Sequence, residues 1–139
     1  ITPYKYNGTD WTRHGVYPPT DGTISAVCGA AGTLTGDYTY KVSYVNSQAV
    51  EGDVTTFTGT IALASGRMSL TSIPVAPQSW GVGSRRLYRN ESSGVAWKRL
   101  TTLSDNTTTT YTDNISDSEL STAAPTDSGV PPNWNTIAY

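Results

Sequence analysis

The sequence predicts an all-β protein, an antiparallel β-sandwich with extended arms at its N- and C-terminal ends. Three observations predict it. Within residues 36–45, Tyr38, Tyr40, Val42 and Tyr44 fall on one side, while Thr39, Lys41 and Ser43 fall on the other. Only an extended strand can use a period of two to bury one face and wet the other. Turn signals recur roughly every eight to twelve residues between short alternating runs, the rhythm of sandwiches and barrels. No stretch carries the period of about 3.6 residues that marks an amphipathic helix.

The elements follow in order. Residues 1–22 mix Pro3, Pro18, Pro19, Gly8 and Gly15 with Tyr4, Tyr6, Trp11 and Tyr17. Prolines and glycines at that density forbid a continuous helix. The aromatics, which cost little side-chain entropy to fix and bring much buried area, predict an arm that docks on its own domain or on a neighbour. Residues 23–27 alternate weakly as a first strand, and Gly29-Ala30-Ala31-Gly32 reads as a loop. The strong strand over residues 37–45 is followed by a turn starting at Asn46-Ser47-Gln48. Residues 50–57 return, and Gly59 breaks them. Ile61 and Leu63 alternate before a hairpin turn expected at Ala64-Ser65-Gly66-Arg67. Met68 and Leu70 continue until Pro74 and Pro77 end the strand.

Residues 84–89 form a further strand, and Asn90-Glu91-Ser92-Ser93-Gly94 a turn. Residues 95–103 pair back, with Val95, Trp97 and Arg99 on one side and Ala96, Lys98 and Leu100 on the other. Asp105-Asn106 turns the chain into the β-branched run 107–112, anchored by Tyr111. Residues 113–120 read as a loop with a short helical turn over residues 116–120. The division is therefore an N-terminal arm at 1–22, a sandwich at 23–126 and a C-terminal arm at 127–139.

Hydrophobic residues make up 36% of the chain and charged residues 14%, both below ordinary usage of about 45–50% and 25%. Nine Tyr and four Trp argue for a folded chain with a thin core. The net charge of −2, with Arg85-Arg86 and Lys98-Arg99 as isolated basic pairs, gives no stripe for phosphate neutralisation, so nucleic acid is not an expected partner. Apolar runs are too short for a membrane-spanning helix. A single cysteine, Cys28, rules out an intrachain disulfide and favours assembly in a reducing cytoplasm. Beside Val27 it reads as a small buried hydrophobe.

Residue types for catalysis are sparse. His14, the one histidine, has Asp10 nearby but no Gly-x-Ser-x-Gly elbow, and reads as an exposed arm residue. One Cys and one His cannot close a zinc site. Asp113, Asn114, Asp117 and Glu119 could be weighed for calcium, but without EF-hand spacing they read as a solvated acidic loop. Glu51 and Asp53 lie on one side of a strand edge without further signs of a sugar-cleaving cleft. Asn7, Asn90, Asn106 and Asn114 sit in Asn-x-Ser/Thr triplets, which a Ser/Thr-rich chain produces by chance. Neither an enzyme nor a cofactor is expected.

Two segments resemble parts of a fibronectin type III-like module. Ser84-Arg85-Arg86-Leu87-Tyr88-Arg89, a turn at Gly94, Trp97-Lys98-Arg99-Leu100 and Thr110-Tyr111-Thr112-Asp113 follow one another as in such modules. The Tyr-rich strand over residues 36–45 resembles the one that usually comes after the last of these. Here it comes first, so the order is permuted. With Gly32, Leu34, Thr35, Gly36, Tyr38, Tyr40, Lys41 and Val42 early, and residues 105–114 and 123–126 late, the chain is similar to modules of tailed-bacteriophage structural proteins over residues 32–126. The usual Gly-Glu dipeptide stands inverted as Glu51-Gly52.

The resemblance implies an Ig/fibronectin III-like sandwich in a virion structural protein assembled in the host cytoplasm. The first expectation is a capsid decoration or cement protein that binds the major capsid protein or other virion proteins, present as a homo-oligomer or as many copies on a symmetric particle. Alternatives are a tail, fibre or baseplate component that binds host glycans or another host surface, and an accessory domain of a secreted enzyme. Trp and Tyr dominate interface hot spots. The expected partner-binding residues are therefore Tyr4, Tyr6, Trp11, Tyr17, Trp80, Trp134 and Tyr139.

Overall fold

Thr39 divides the most strongly patterned segment of the chain between two sheets. A computed structural model describes residues 4–6, 11–13, 15–19, 24–56, 61–90, 96–120 and 122–124. Among them are nine strands: β1 (Tyr4–Tyr6), β2 (Trp11–Arg13), β3 (Ser25–Tyr38), β4 (Tyr40–Asn46), β5 (Thr55–Thr56), β6 (Ile61–Thr71), β7 (Val82–Asn90), β8 (Trp97–Leu103) and β9 (Tyr111–Asp113). Two short 3-10 turns lie at Gln78–Trp80 and Asp117–Glu119. All strand pairs are antiparallel. β1 and β2 pair with each other, β3-β6-β9 make a three-stranded sheet, and β5-β4-β7-β8 make a four-stranded sheet.

The two larger sheets share one core, as the sequence predicts for a sandwich. Leu34 and Tyr38 of β3 and Leu63, Met68 and Leu70 of β6 meet Tyr40 and Val42 of β4, Leu87 of β7 and Leu100 of β8. Ile24, Ile73 and Leu120 belong to the same cluster. Each such side chain contributes about 1.5–3 kcal/mol by leaving water.

The single strand expected over residues 37–45 is instead two. Tyr38 is opposite Ile61 on β6, while Tyr40 is opposite Arg89 on β7. Both rings still face the core, so the period of two runs on unbroken across the change of sheet. The crossing is fixed at Thr39, whose N–H donates to Asn90 Oδ1 at 2.7 Å and whose C=O accepts from the Asn90 N–H at 3.3 Å.

Several expectations need correction. Ser43, assigned to the wet face, is fully buried because its hydroxyl donates to Glu51, which covers it. The loop at Gly29–Gly32 and the hairpin turn at Ala64–Arg67 are both parts of long strands. β3 and β6 pair regularly from Ser25 opposite Thr71 to Gly29 opposite Arg67. The register then jumps to Leu34 opposite Gly66. The intervening residues bulge across β6, and the Thr33 N–H reaches Asn114 Oδ1 at 2.9 Å. The glycines permit this close approach: a Cβ on Gly32 would sit 2.1 Å from the carbonyl oxygen of Gly66. Small residues that read as a turn therefore mark a place where two backbones cross.

Of the return strand expected over 50–57, the described residues give β5 plus a bridge between Val45 and Glu51, and of the run 107–112 only Tyr111 and Thr112 lie on a strand, β9. Cys28 is exposed rather than buried, because it lies on β3 at the margin of the sheet. Strands over 84–89 and 97–103, the turn after Asn46 and the helical turn near Ser116 are observed. Val95, residues 57–60 and the C-terminal arm at 127–139 lie outside the described residues.

Candidate binding surface

Two of the aromatics singled out from the sequence come together at one end of the four-stranded sheet. Tyr17 and Trp80 have ring centroids 5.3 Å apart at 46°. Trp80 also meets Tyr44 edge-on, at 6.2 Å and 70°. Beneath them Val16, Tyr44 and Ala76 form a small apolar cluster flanked by Val50 and Val82. Tyr44 comes from β4 and Trp80 from the 3-10 turn that Gly81 terminates in the left-handed conformation. Part of the N-terminal segment thus docks on its own domain. Val16 is buried, and its carbonyl oxygen lies where a Cβ on Gly52 would be 2.6 Å away. Tyr17 remains 42% exposed and Val75, next to Ala76, 46%.

Tyr4, Tyr6 and Trp11 lie on β1 and β2, in register with Arg13, Trp11 and Tyr6 respectively. Their side chains, with Trp134, Tyr139 and His14, lie outside the described residues. Val16, Tyr44 and Ala76 carried no signal of their own in the sequence. Val16 is one apolar residue among prolines, and Tyr44 is indistinguishable from the other tyrosines of its strand.

At the other end of the same sheet, residues 122–124 pair antiparallel alongside β8. The Arg99 N–H donates to the Thr122 C=O at 2.6 Å and the Ala124 N–H to the Trp97 C=O at 2.8 Å. Lys41 Nζ stands 4.1 Å over the Trp97 ring. Asn46 of β4 pairs with Val82 and Tyr40 with Arg89, so the Val16 cluster and the Trp97 cluster lie at opposite ends of β7.

The arginines of β7 and their carboxylate partners are tied into the scaffold. β7 alternates Arg85, Leu87 and Arg89 inward. Arg85 Nη1 donates to the Pro74 C=O at 2.9 Å, and its Nη2 to Asp105 Oδ1 at 2.9 Å and to the Thr108 C=O at 2.6 Å. Burial lowers its pKa despite Asp105. Arg89 Nη1 donates to Asp113 at 2.6 Å and Nη2 to Asp117 at 2.7 Å. The Tyr40 hydroxyl donates to Asp113 at 2.8 Å. Burial, reinforced by the Asp113 charge, pushes the Tyr40 phenol far up. On the outer face Glu51 accepts from Ser43, Arg86 and the Tyr88 hydroxyl. Burial and then Glu51 push the Tyr88 phenol up.

These contacts correct the solvated acidic loop: Asp113 is fully buried and paired. Asp117 pairs with the same arginine, and Glu119 accepts from the Ser116 hydroxyl and N–H. Among the described residues no group of three His, Cys, Asp or Glu side chains is placed to hold a metal.

No family model, curated protein or solved structure matches the chain.

What the arrangement can do chemically is bind. It offers an aromatic pair of which Tyr17 is exposed and Trp80 partly buried, an edge strand that already holds residues 122–124, and a charge network engaged internally except at the buried Nε atoms of Arg86 and Arg89.

Proposed function

We propose that the chain is a structural protein of a tailed-phage virion, a decoration or cement protein that straps itself to the major capsid protein and holds the shell together. The observation that carries this reading is the anchoring of both flanking segments at opposite ends of one sheet. Val16 is seated against Tyr44 and Ala76 at one end, and residues 122–124 are hydrogen-bonded to β8 at the other. A rigid sandwich with a fixed exit at each end suits a part that joins neighbours. Small contacts repeated over a symmetric shell become strong through multivalency. The two runs behind the fibronectin type III-like resemblance, 36–45 and 84–89, are neighbours through β4 and β7, which supports reading them as one module.

Particles stripped of the protein and then heated test the proposal. Release of DNA at a lower temperature, restored by adding the protein back, supports cementing. Unchanged release overturns it.

The Tyr17–Trp80 pair favours a second reading, a tail or fibre component whose aromatic faces stack on host sugars. Glycan-array binding that disappears in Trp80→Ala, with a copy number of a dozen or fewer per particle, would select it over the first.

A further inference from the structure

The sheet edges are unequal. β8 is covered at Trp97 and Arg99 by residues 122–124, while among the described residues β5 and β9 span only two and three. β3 runs for 14 residues and pairs on one side only, with β6, among the described residues. Folded proteins guard such edges with charges, prolines or bulges. From Ser25 to Gly36 this strand has neither charge nor proline. Its bulge lies beyond Gly29, leaving residues 25–29 in regular register with β6. Val27, within that regular stretch, is 59% exposed, more than Val75 or Tyr17.

We propose that residues 25–29 of β3 pair antiparallel with the same residues of a second copy of this chain, forming a closed two-fold dimer. A two-fold axis matches the segment to itself. Being uncharged, it meets no like charge across the axis, and Ala26 and Gly29 leave room for close approach. The two Val27 side chains then face one another and leave water. Arg67 lies against Gly29 at one end of the segment, so antiparallel pairing sets the two copies' arginines at opposite ends of the contact. One long open edge also sets the stoichiometry. Once two such edges have paired, neither copy has another of that length to offer among the described residues, and association stops at two rather than running on into a filament.

The dimer does not depend on the virion reading and is tested on the isolated chain. Sedimentation velocity is expected to show a dimer that grows with concentration. Val27→Lys, which places a charge at the axis, should weaken association about tenfold or more, while Val75→Lys leaves it unchanged. Far-UV circular dichroism verifies that both variants fold. Hydrogen exchange read without mutation should show protection over residues 25–29 rising with concentration. Reaction of Cys28 with a maleimide should slow in parallel. A chain that stays monomeric up to about 500 μM, well into the range of weak small interfaces, overturns the proposal. So does a dimer indifferent to Val27→Lys, or one whose concentration-dependent protection lies elsewhere.

Discussion

Arg89 and Asp113 form a 2.6 Å ion pair that joins the two sheets, and neither side chain is exposed. With Cys28 the sole cysteine, this pair occupies the role an inter-sheet disulfide would otherwise fill. Its carboxylate is well furnished, with the Tyr40 hydroxyl and the Ile115 N–H donating to it, and the Arg89 guanidinium lies 4.8 Å over the Tyr38 ring, although Arg89 Nε is buried without a hydrogen-bond partner among the described residues.

Removing one partner of this pair leaves an uncompensated charge in the core. Asp113→Ala is expected to cost about 3–5 kcal/mol, since breaking a buried pair is far worse than replacing it. The triple variant Tyr40→Phe, Arg89→Met, Asp113→Leu should recover to within about 2 kcal/mol of the native chain. Urea unfolding of the two variants beside the native protein measures both. Equal losses would show that the ion pair is net stabilising rather than merely costly to break.

Glu51 should fasten its loop to the outer face of the four-stranded sheet. Glu51→Ala strands the Ser43 and Tyr88 hydroxyls under cover, each at about 1–3 kcal/mol. Tyr88 should also titrate at lower pH in this variant than in the native chain, followed by ultraviolet difference absorbance. Its phenol stays above the ordinary value because the burial remains.

Gly32→Ala tests the bulge. The added methyl would meet the Gly66 carbonyl at 2.1 Å, a backbone atom that cannot rotate away. The expected loss is about 1–3 kcal/mol, the usual cost of overpacking, read by thermal melting. Gly83→Ala on β7, where a Cβ finds its nearest neighbour 3.8 Å away, is the control and should melt near the native temperature.

Stability should hold level across neutral pH and fall on both sides. The Thr108 hydroxyl and N–H, the Thr107 N–H and Arg85 hold the Asp105 carboxyl well below the usual range. Ser116 lowers Glu119 in the same way. A carboxyl lowered by folding adds stability above its unfolded value, about 4, and loses it as pH falls through the folded value. Melting temperature should therefore drop below about pH 4, and Asp105→Asn should flatten that limb. Tyr40 and Tyr88 are raised. Their contribution is complete below about pH 10 and is lost as pH rises further, when the unfolded chain releases protons that the folded chain keeps. Calorimetry from acid to alkali checks both limbs.

The tyrosine alternation was legible because each ring faces the core from whichever sheet it occupies. For the same reason the crossing at Thr39 was not: a local period cannot say which neighbour a strand has. Gly29, Gly32 and Gly66 misled because glycine serves both turns and crossings. Arg85 read only as half of an isolated basic pair with Arg86, and Arg89 only as the end of a strand. Their burial depends on Asp105 and Asp113, which only the folded topology brings within reach. At the binding surface Tyr17 and Trp80 stood out by ring chemistry alone, whereas Val16 and Ala76 became visible only once the chain had turned back on itself.

The passage through Thr39 has a mechanical consequence. Tyr38 and Tyr40 belong to different layers yet are two peptide bonds apart, and Asn90 grips the residue between them from both sides. Any load that tries to slide one layer over the other pulls on covalent backbone at this point before it tests the apolar filling. The layers should therefore give way together, in a single rupture event under an optical trap, rather than peeling off one after the other.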